Sequence, residues 1–273
     1  MTGSALLSVA LFLSFIVYNS QLAFAQFADS FLDVVTAAVL AWTVALSAKP
    51  EDEDHQFGHK RAQPVGALVT AVLTGVLAVE VVQHAITALI SGSEPEFDSL
   101  VLGVFGLKIV FKLMVYWRAQ HLGRASEPAM KALAVDARND VLASLVAGLG
   151  FLAARYEVPQ LDAWLALPLA LVIGWTGFDL AAENVRLLMG QAPSPERQRE
   201  LVALVRGVAG VHAVGRFRAH YVGTELFSHV EVQVDASLTV GEAHDIGEAV
   251  RLCLETLPDV GRCSVHIDPA KAG

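Results

Sequence analysis

The chain has 273 residues, 54% hydrophobic and only 17% charged, with a formal net charge of -9. That is too apolar for an ordinary soluble domain, and the acidic balance leaves no basic stripe to neutralise phosphates, which excludes a nucleic-acid partner. Cys253 and Cys263 form no CxxC pair, which argues against a disulfide framework or a Cys-type zinc finger and fits a reduced, cytoplasmic setting for the tail.

Apolar blocks dominate up to about Glu183. The first, ALLSVALFLSFIVYNSQLAFAQ, carries Ala-Phe-Ala just before its last residue, which resembles a signal-peptidase site, but MTGS supplies no positive n-region. It is therefore expected to stay as a first transmembrane helix. A hydrocarbon core of about 30 Å needs about 20 helical residues. Six segments qualify, at approximately 5–25, 27–48, 64–91, 98–118, 129–153 and 161–184. Lys49, Lys60 and Arg61 follow the second span, and Arg118, Arg124 and Lys131 follow the fourth, whereas the opposite side offers only Arg155. The positive-inside rule then places both termini and the tail in the cytoplasm.

The tail alternates. SPERQRELVALVRG reads as a helix that starts at a Ser, with Glu196 in its first turn. VHAVGRFRAHYVG and LFSHVEVQVD read as strands broken at Gly223. SLTVGEAHDIGEAVRLCLETLP is an amphipathic helix, and RCSVHIDP is a last short strand. This αββαβ order predicts a small α+β sandwich with its helices on one face of a three-stranded sheet. The expected fold is a polytopic α-helical membrane protein with six transmembrane helices (1–188) and a cytoplasmic α+β domain (189–273).

Four acids interrupt the apolar blocks. Asp29 and Asp33 are i and i+4 in the second span; Asp136 and Asp140 repeat the spacing in the fifth. Each pair shares a helix face. A central carboxylate costs at least about 2.5–3.5 kcal/mol on insertion scales, so intramembrane acids default to functional sites. Four converging carboxylates cannot all stay ionised. Either protons or a divalent cation relieve the repulsion, which is the physical basis of metal/proton exchange. All-oxygen donors suit Mn2+, Mg2+ or Fe2+.

DSFLD in span two, HQFGH in the loop behind it, DARND in span five and the tail together resemble the cation diffusion facilitator family, in order and in spacing over nearly the whole chain. The resemblance implies a homodimeric exporter in the cell (inner) membrane with a metallochaperone-like tail. It would move divalent metal out of the cytoplasm in exchange for protons, by alternating access. It also implies a transport site of Asp29, Asp33, Asp136 and Asp140. Zinc-transporting members usually carry His where this chain has Asp136, and loss of that nitrogen removes a donor zinc favours. The all-carboxylate pattern resembles the manganese exporters, so Mn2+ is favoured, with Fe2+, Zn2+ and Co2+ behind it. No cofactor is expected beyond the transported or bound metal.

The resemblance further implies a loop metal site at Asp52, His55 and His59, the two histidines being four apart. In the tail, His229, His244, His266 and Asp268 match positions where some relatives bind metal; His212, His220 and Cys253 are lesser candidates. Lys108 and Lys112 interrupt span four. Lys112, about six residues from the cytoplasmic end, is expected to snorkel. Lys108 lies about 15 Å deep by the helical rise and is expected to face the bundle as a charge partner for a carboxylate. Glu80 and His84, four apart, are candidates for the outer exit, and Asp179 and Glu183, at the end of span six, mark the membrane interface, where acids cost little. A membrane-bound metal sensor or scaffold without transport, or a zinc- or iron-selective exporter, are the alternatives. The sequence has no HExxH, nucleophile elbow or P-loop, which disfavours an intramembrane hydrolase and an ATP-driven pump.

Overall fold

A computed structural model of the chain describes residues 21–91, 99–121, 127–155 and 161–270. The chain forms two compact units, Met1–Val185 and Arg186–Gly273. Most of the predicted first span lies outside the described residues.

The first unit contains long helices: α1 (Gln21–Ser47), α2 (Ala62–Ser91), α3 (Ser99–His121), α4 (Pro128–Arg155) and α5 (Leu161–Leu188). As helices they occupy the segments expected for spans two to six, except that α1 starts six residues earlier than expected, because LAFAQ holds no Gly or Pro to break it. Ala62–Ser91 and Trp164–Leu188 are long and apolar enough to cross a bilayer. In α3 and α4 the apolar pattern is interrupted by Lys108, Lys112, Asp136, Arg138 and Asp140.

Between membrane helices, packing replaces the hydrophobic effect as the main attraction, which favours small residues at contacts. The buried cluster here is Leu40, Ala67, Ala71, Ala129, Ala132 and Leu180. Gly66 of α2 faces Thr43 of α1 so closely that a Cβ there would collide with the threonine side chain. Thr43 is itself buried and donates to the Leu40 carbonyl at 3.0 Å, so it has little freedom to turn away. Gly66→Val is expected to push α1 off α2 at a cost of about 1–3 kcal/mol, read as earlier thermal aggregation of the purified protein in detergent. Asn139 of α4 donates to Thr176 Oγ1 of α5 at 3.1 Å. Lys131 of α4 pairs with Glu183 of α5 at 2.5 Å, so Glu183 fixes a helix neighbour, while Asp179 is exposed.

The second unit follows the predicted αββαβ order: α6 (Pro195–Arg206), β1 (Ala213–Val222), β2 (Glu225–Val234), α7 (Val240–Glu255) and β3 (Val260–Pro269). Ser194 caps α6, accepting from the Arg197 N–H, with Pro195 in the first turn, where a missing N–H is harmless. Thr239 and Glu242 form a capping box on α7. The backbone N–H of Thr239 accordingly holds the Glu242 carboxyl below its ordinary range. Gly223, at φ 64°, supplies the left-handed backbone that the two-residue β1–β2 hairpin requires.

β1 and β2 pair antiparallel, β2 and β3 parallel, with β2 central. One sheet face, including Leu226, Val230 and Val232, is buried with Leu201 and Val205 of α6 and Val250 and Leu254 of α7. Cys263 belongs to this core, and burial raises its thiol above the ordinary value. The register puts Arg218, His229 and Ser264 side by side, followed by Glu231 beside His266 and Gln233 beside Asp268. These residues line the sheet face opposite the helices.

Candidate metal centre

The carboxylates come from two helices. In α4, Asp136 and Asp140 sit one turn apart in a stretch without Gly or Pro, so both point to one side. Asp33 reaches the same place from α1. Carboxylate oxygens of Asp33, Asp136 and Asp140 all lie within 4.8 Å of one another. Side-chain exposure is 11% for Asp33, 20% for Asp136 and 4% for Asp140. Asp29 lies in α1 one turn before Asp33, and its side chain is outside those described.

A cation already sits among these acids. The Lys112 ammonium is 3.0 Å from Asp33 Oδ1 and 3.4 Å from Asp136 Oδ2, and it also contacts Asp140 Oδ2. Its side chain is only 7% exposed. This corrects the expected snorkelling. Lys112 turns inward because three carboxylates, one buried and two half-buried, compensate its charge far better than a partial exit to the membrane surface, where it would leave them bare. Lys108, one turn earlier, is buried too. The three-way bridge, however, belongs to Lys112.

A cavity of about 400 Å³ touches Asp33, Lys112 and Asp136 at one end. From there it follows α1 to Val44, α3 to Arg118 and α4 back to Met130. It therefore leads from the acids to the end of the bundle where the α1–α2 and α3–α4 connections lie. Its walls are mostly Ala, Leu, Val and Phe, so the acids and Lys112 form a polar end to an apolar passage. Anionic oxygens without nitrogen or sulfur make a hard donor set, suited to Mn2+, Fe2+ or Mg2+.

The α1–α2 loop holds a second cluster. Donor atoms of Asp52, His55 and His59 also lie within 4.8 Å of one another. His55 Nδ1 is 3.2 Å from Asp52 Oδ1, and His59 Nε2 is 3.4 Å from Asp52 Oδ2. The His55 backbone N–H, donating at 2.7 Å, holds the Asp52 carboxyl below its ordinary range. His59 Nδ1 is 3.2 Å from the Pro50 carbonyl, which can only accept, so Nδ1 carries a proton. His59 Nε2 then faces Asp52 either as a second N–H or as a lone pair, and a lone pair aimed at a carboxylate suits a shared cation. The residues fit a bound divalent metal.

The tail residues distribute differently. His229, His266 and Asp268 share the sheet face away from the helices, with His266 Nε2 3.2 Å from Asp268 Oδ1. His244 lies on α7, in the helical layer. One chain alone does not bring the four together: among the described residues, the metal-competent groups are the membrane and loop clusters. His212 and His220 are exposed, and Cys253 is a half-buried free thiol on α7. Glu80 is exposed on α2, and the His84 side chain is outside those described.

Comparison with known proteins identifies the family. Residues 2–189 match the family model for the cation efflux transmembrane domain, and residues 193–270 match that for the cation efflux protein cytoplasmic domain. An uncharacterized transporter of Methanocaldococcus jannaschii is 31% identical over 271 residues, covering 97% of this chain and 94% of the relative. The manganese efflux system protein MneP of Bacillus subtilis is 26% identical over 264 residues, covering 93% and 88%. Metal tolerance protein 5 of Oryza sativa subsp. japonica is 30% identical over 251 residues, covering 88% of this chain, which spans 59% of that protein's length. The chain thus belongs to the cation efflux family, as a membrane transporter with a cytoplasmic C-terminal domain.

Proposed function

We propose that the protein exports divalent metal from the cytoplasm, Mn2+ first, in exchange for protons, working as a homodimer by alternating access. The observation that carries this reading is the convergence of Asp33, Asp136 and Asp140 at the end of a passage into the membrane unit. Asp29, one turn from Asp33, is assigned as the fourth ligand. Six spans with cytoplasmic termini in the cell membrane put the Arg118 and Met130 end of the passage on the cytoplasmic side, where the cargo is collected. Protons replace metal on the carboxylates on the outer side, and the unit returns loaded with them.

Manganese is preferred because every donor in the described cage is a carboxylate oxygen, and the name of the Bacillus relative points the same way. Asp52, His55 and His59 are proposed to hold metal in the loop. His229, His244, His266 and Asp268 are proposed to form a metal site completed between two copies of the tail, which would tighten the dimer when cytoplasmic metal is high.

The test is Mn2+ flux into proteoliposomes containing the purified protein. Accumulation above empty liposomes supports transport. Saturable Mn2+ binding with no flux, in either orientation of the protein, would instead support a sensor or scaffold.

A further inference from the structure

We propose that Lys112 is a tethered occupant of the transport site, which incoming divalent metal must displace. The inference rests on the transport role proposed for the aspartates and adds a competitor to it. The ammonium bridges Asp33, Asp136 and Asp140, which together are the described ligands. It therefore takes the place a cargo ion would fill. The side chain is anchored on α3, whereas its three partners belong to α1 and α4. Withdrawal of the ammonium thus opens the cage without unfolding any ligand helix. The cavity is lined by Lys112 as well as by Asp33 and Asp136, so the lysine borders open space.

The arrangement has two consequences. The vacated cage is never bare, because a covalently attached cation neutralises part of its charge between cargoes. It also discriminates by valence. A divalent ion gains about twice the Coulomb attraction of a monovalent one at the same distance. Sodium or potassium offers the carboxylates no more charge than Lys112 already does and must in addition pay for displacing it. Only an ion of higher charge gains on exchange.

Mn2+ binding to the full-length protein in nanodiscs, measured by calorimetry, provides the test. If nine in ten empty sites are closed by the ammonium, apparent affinity is lowered about tenfold. Lys112→Met is therefore expected to bind Mn2+ about tenfold more tightly than wild type, while Lys112→Arg, which keeps a cation, stays near the wild-type value. Equal or weaker binding by Lys112→Met, with Asp140→Asn still abolishing binding, overturns the displacement and leaves the carboxylate cage standing. Equal binding by wild type and Asp140→Asn overturns the cage, and the lysine proposal with it. Wild-type protein gives an independent readout that needs no variant. Reductive methylation of Lys112, followed by mass spectrometry, is expected to rise when saturating Mn2+ frees the side chain. Unchanged or reduced methylation contradicts displacement.

Discussion

Asp140→Asn is expected to abolish Mn2+ transport, with flux at least about a hundredfold below wild type, since even an outer-shell partner of a metal site can be worth that much. Asp140 is the most enclosed of the three described acids, at 4% side-chain exposure, and contacts Lys112 directly. The substitution preserves shape and removes one anionic donor where water cannot make up the loss. It also takes away a principal partner of a buried ammonium, and losing one side of a buried pair is costly. Two readouts separate these effects. Flux in proteoliposomes reports the metal site, and the elution profile in detergent reports the fold. A variant that elutes as wild type yet fails to transport locates the defect at the site. Retained transport at the wild-type rate would remove Asp140 from the cage.

Asp136→His is expected to shift preference from Mn2+ toward Zn2+ by about tenfold or more, because imidazole suits zinc and the unsubstituted cage offers oxygen alone. Asp136 is the most exposed of the three, at 20%, and lines the cavity, which gives the larger ring space to be accommodated. Its bond to Lys112 is also the weakest by distance, 3.4 Å against 3.0 Å for Asp33, so the exchange disturbs the bridge least. Competition of Zn2+ against Mn2+ uptake, for wild type and variant in parallel, reads the change. An unaltered ratio would show that Asp136 does not set selectivity.

The acids were legible in the sequence because two physical rules apply without knowledge of packing. Carboxylates are expensive in a bilayer, and a spacing of four puts two of them on one helix face. The tail was legible for a different reason: Ser194 and Gly223 are local signals that act through their own neighbours' backbone, so they need no tertiary context. Lys112 was not. Its depth was readable from the sequence, but its direction was not, because α3 is apolar nearly all round and carries no stripe to tell which side meets α4. The available signal was the spacing of Lys108 and Lys112, also four apart, which mirrors that of the aspartates. The Lys131–Glu183 pair was hidden for a similar reason. Its members are 52 residues apart, and only the packing of α4 beside α5 joins them. For His244, the family resemblance implied a shared site with His229 and His266, but within one chain the sheet separates the helical layer from the face that carries the other two.

Proton movement driven by metal is the most direct test of the account. Proteoliposomes containing the wild-type protein and an internal pH indicator are exposed to external Mn2+ at zero initial pH gradient. The account predicts that Mn2+ entry is matched by proton release, seen as internal alkalinisation, and that Asp140→Asn shows neither movement. Mn2+ entry with no change in internal pH, or proton movement that persists in Asp140→Asn, would contradict it.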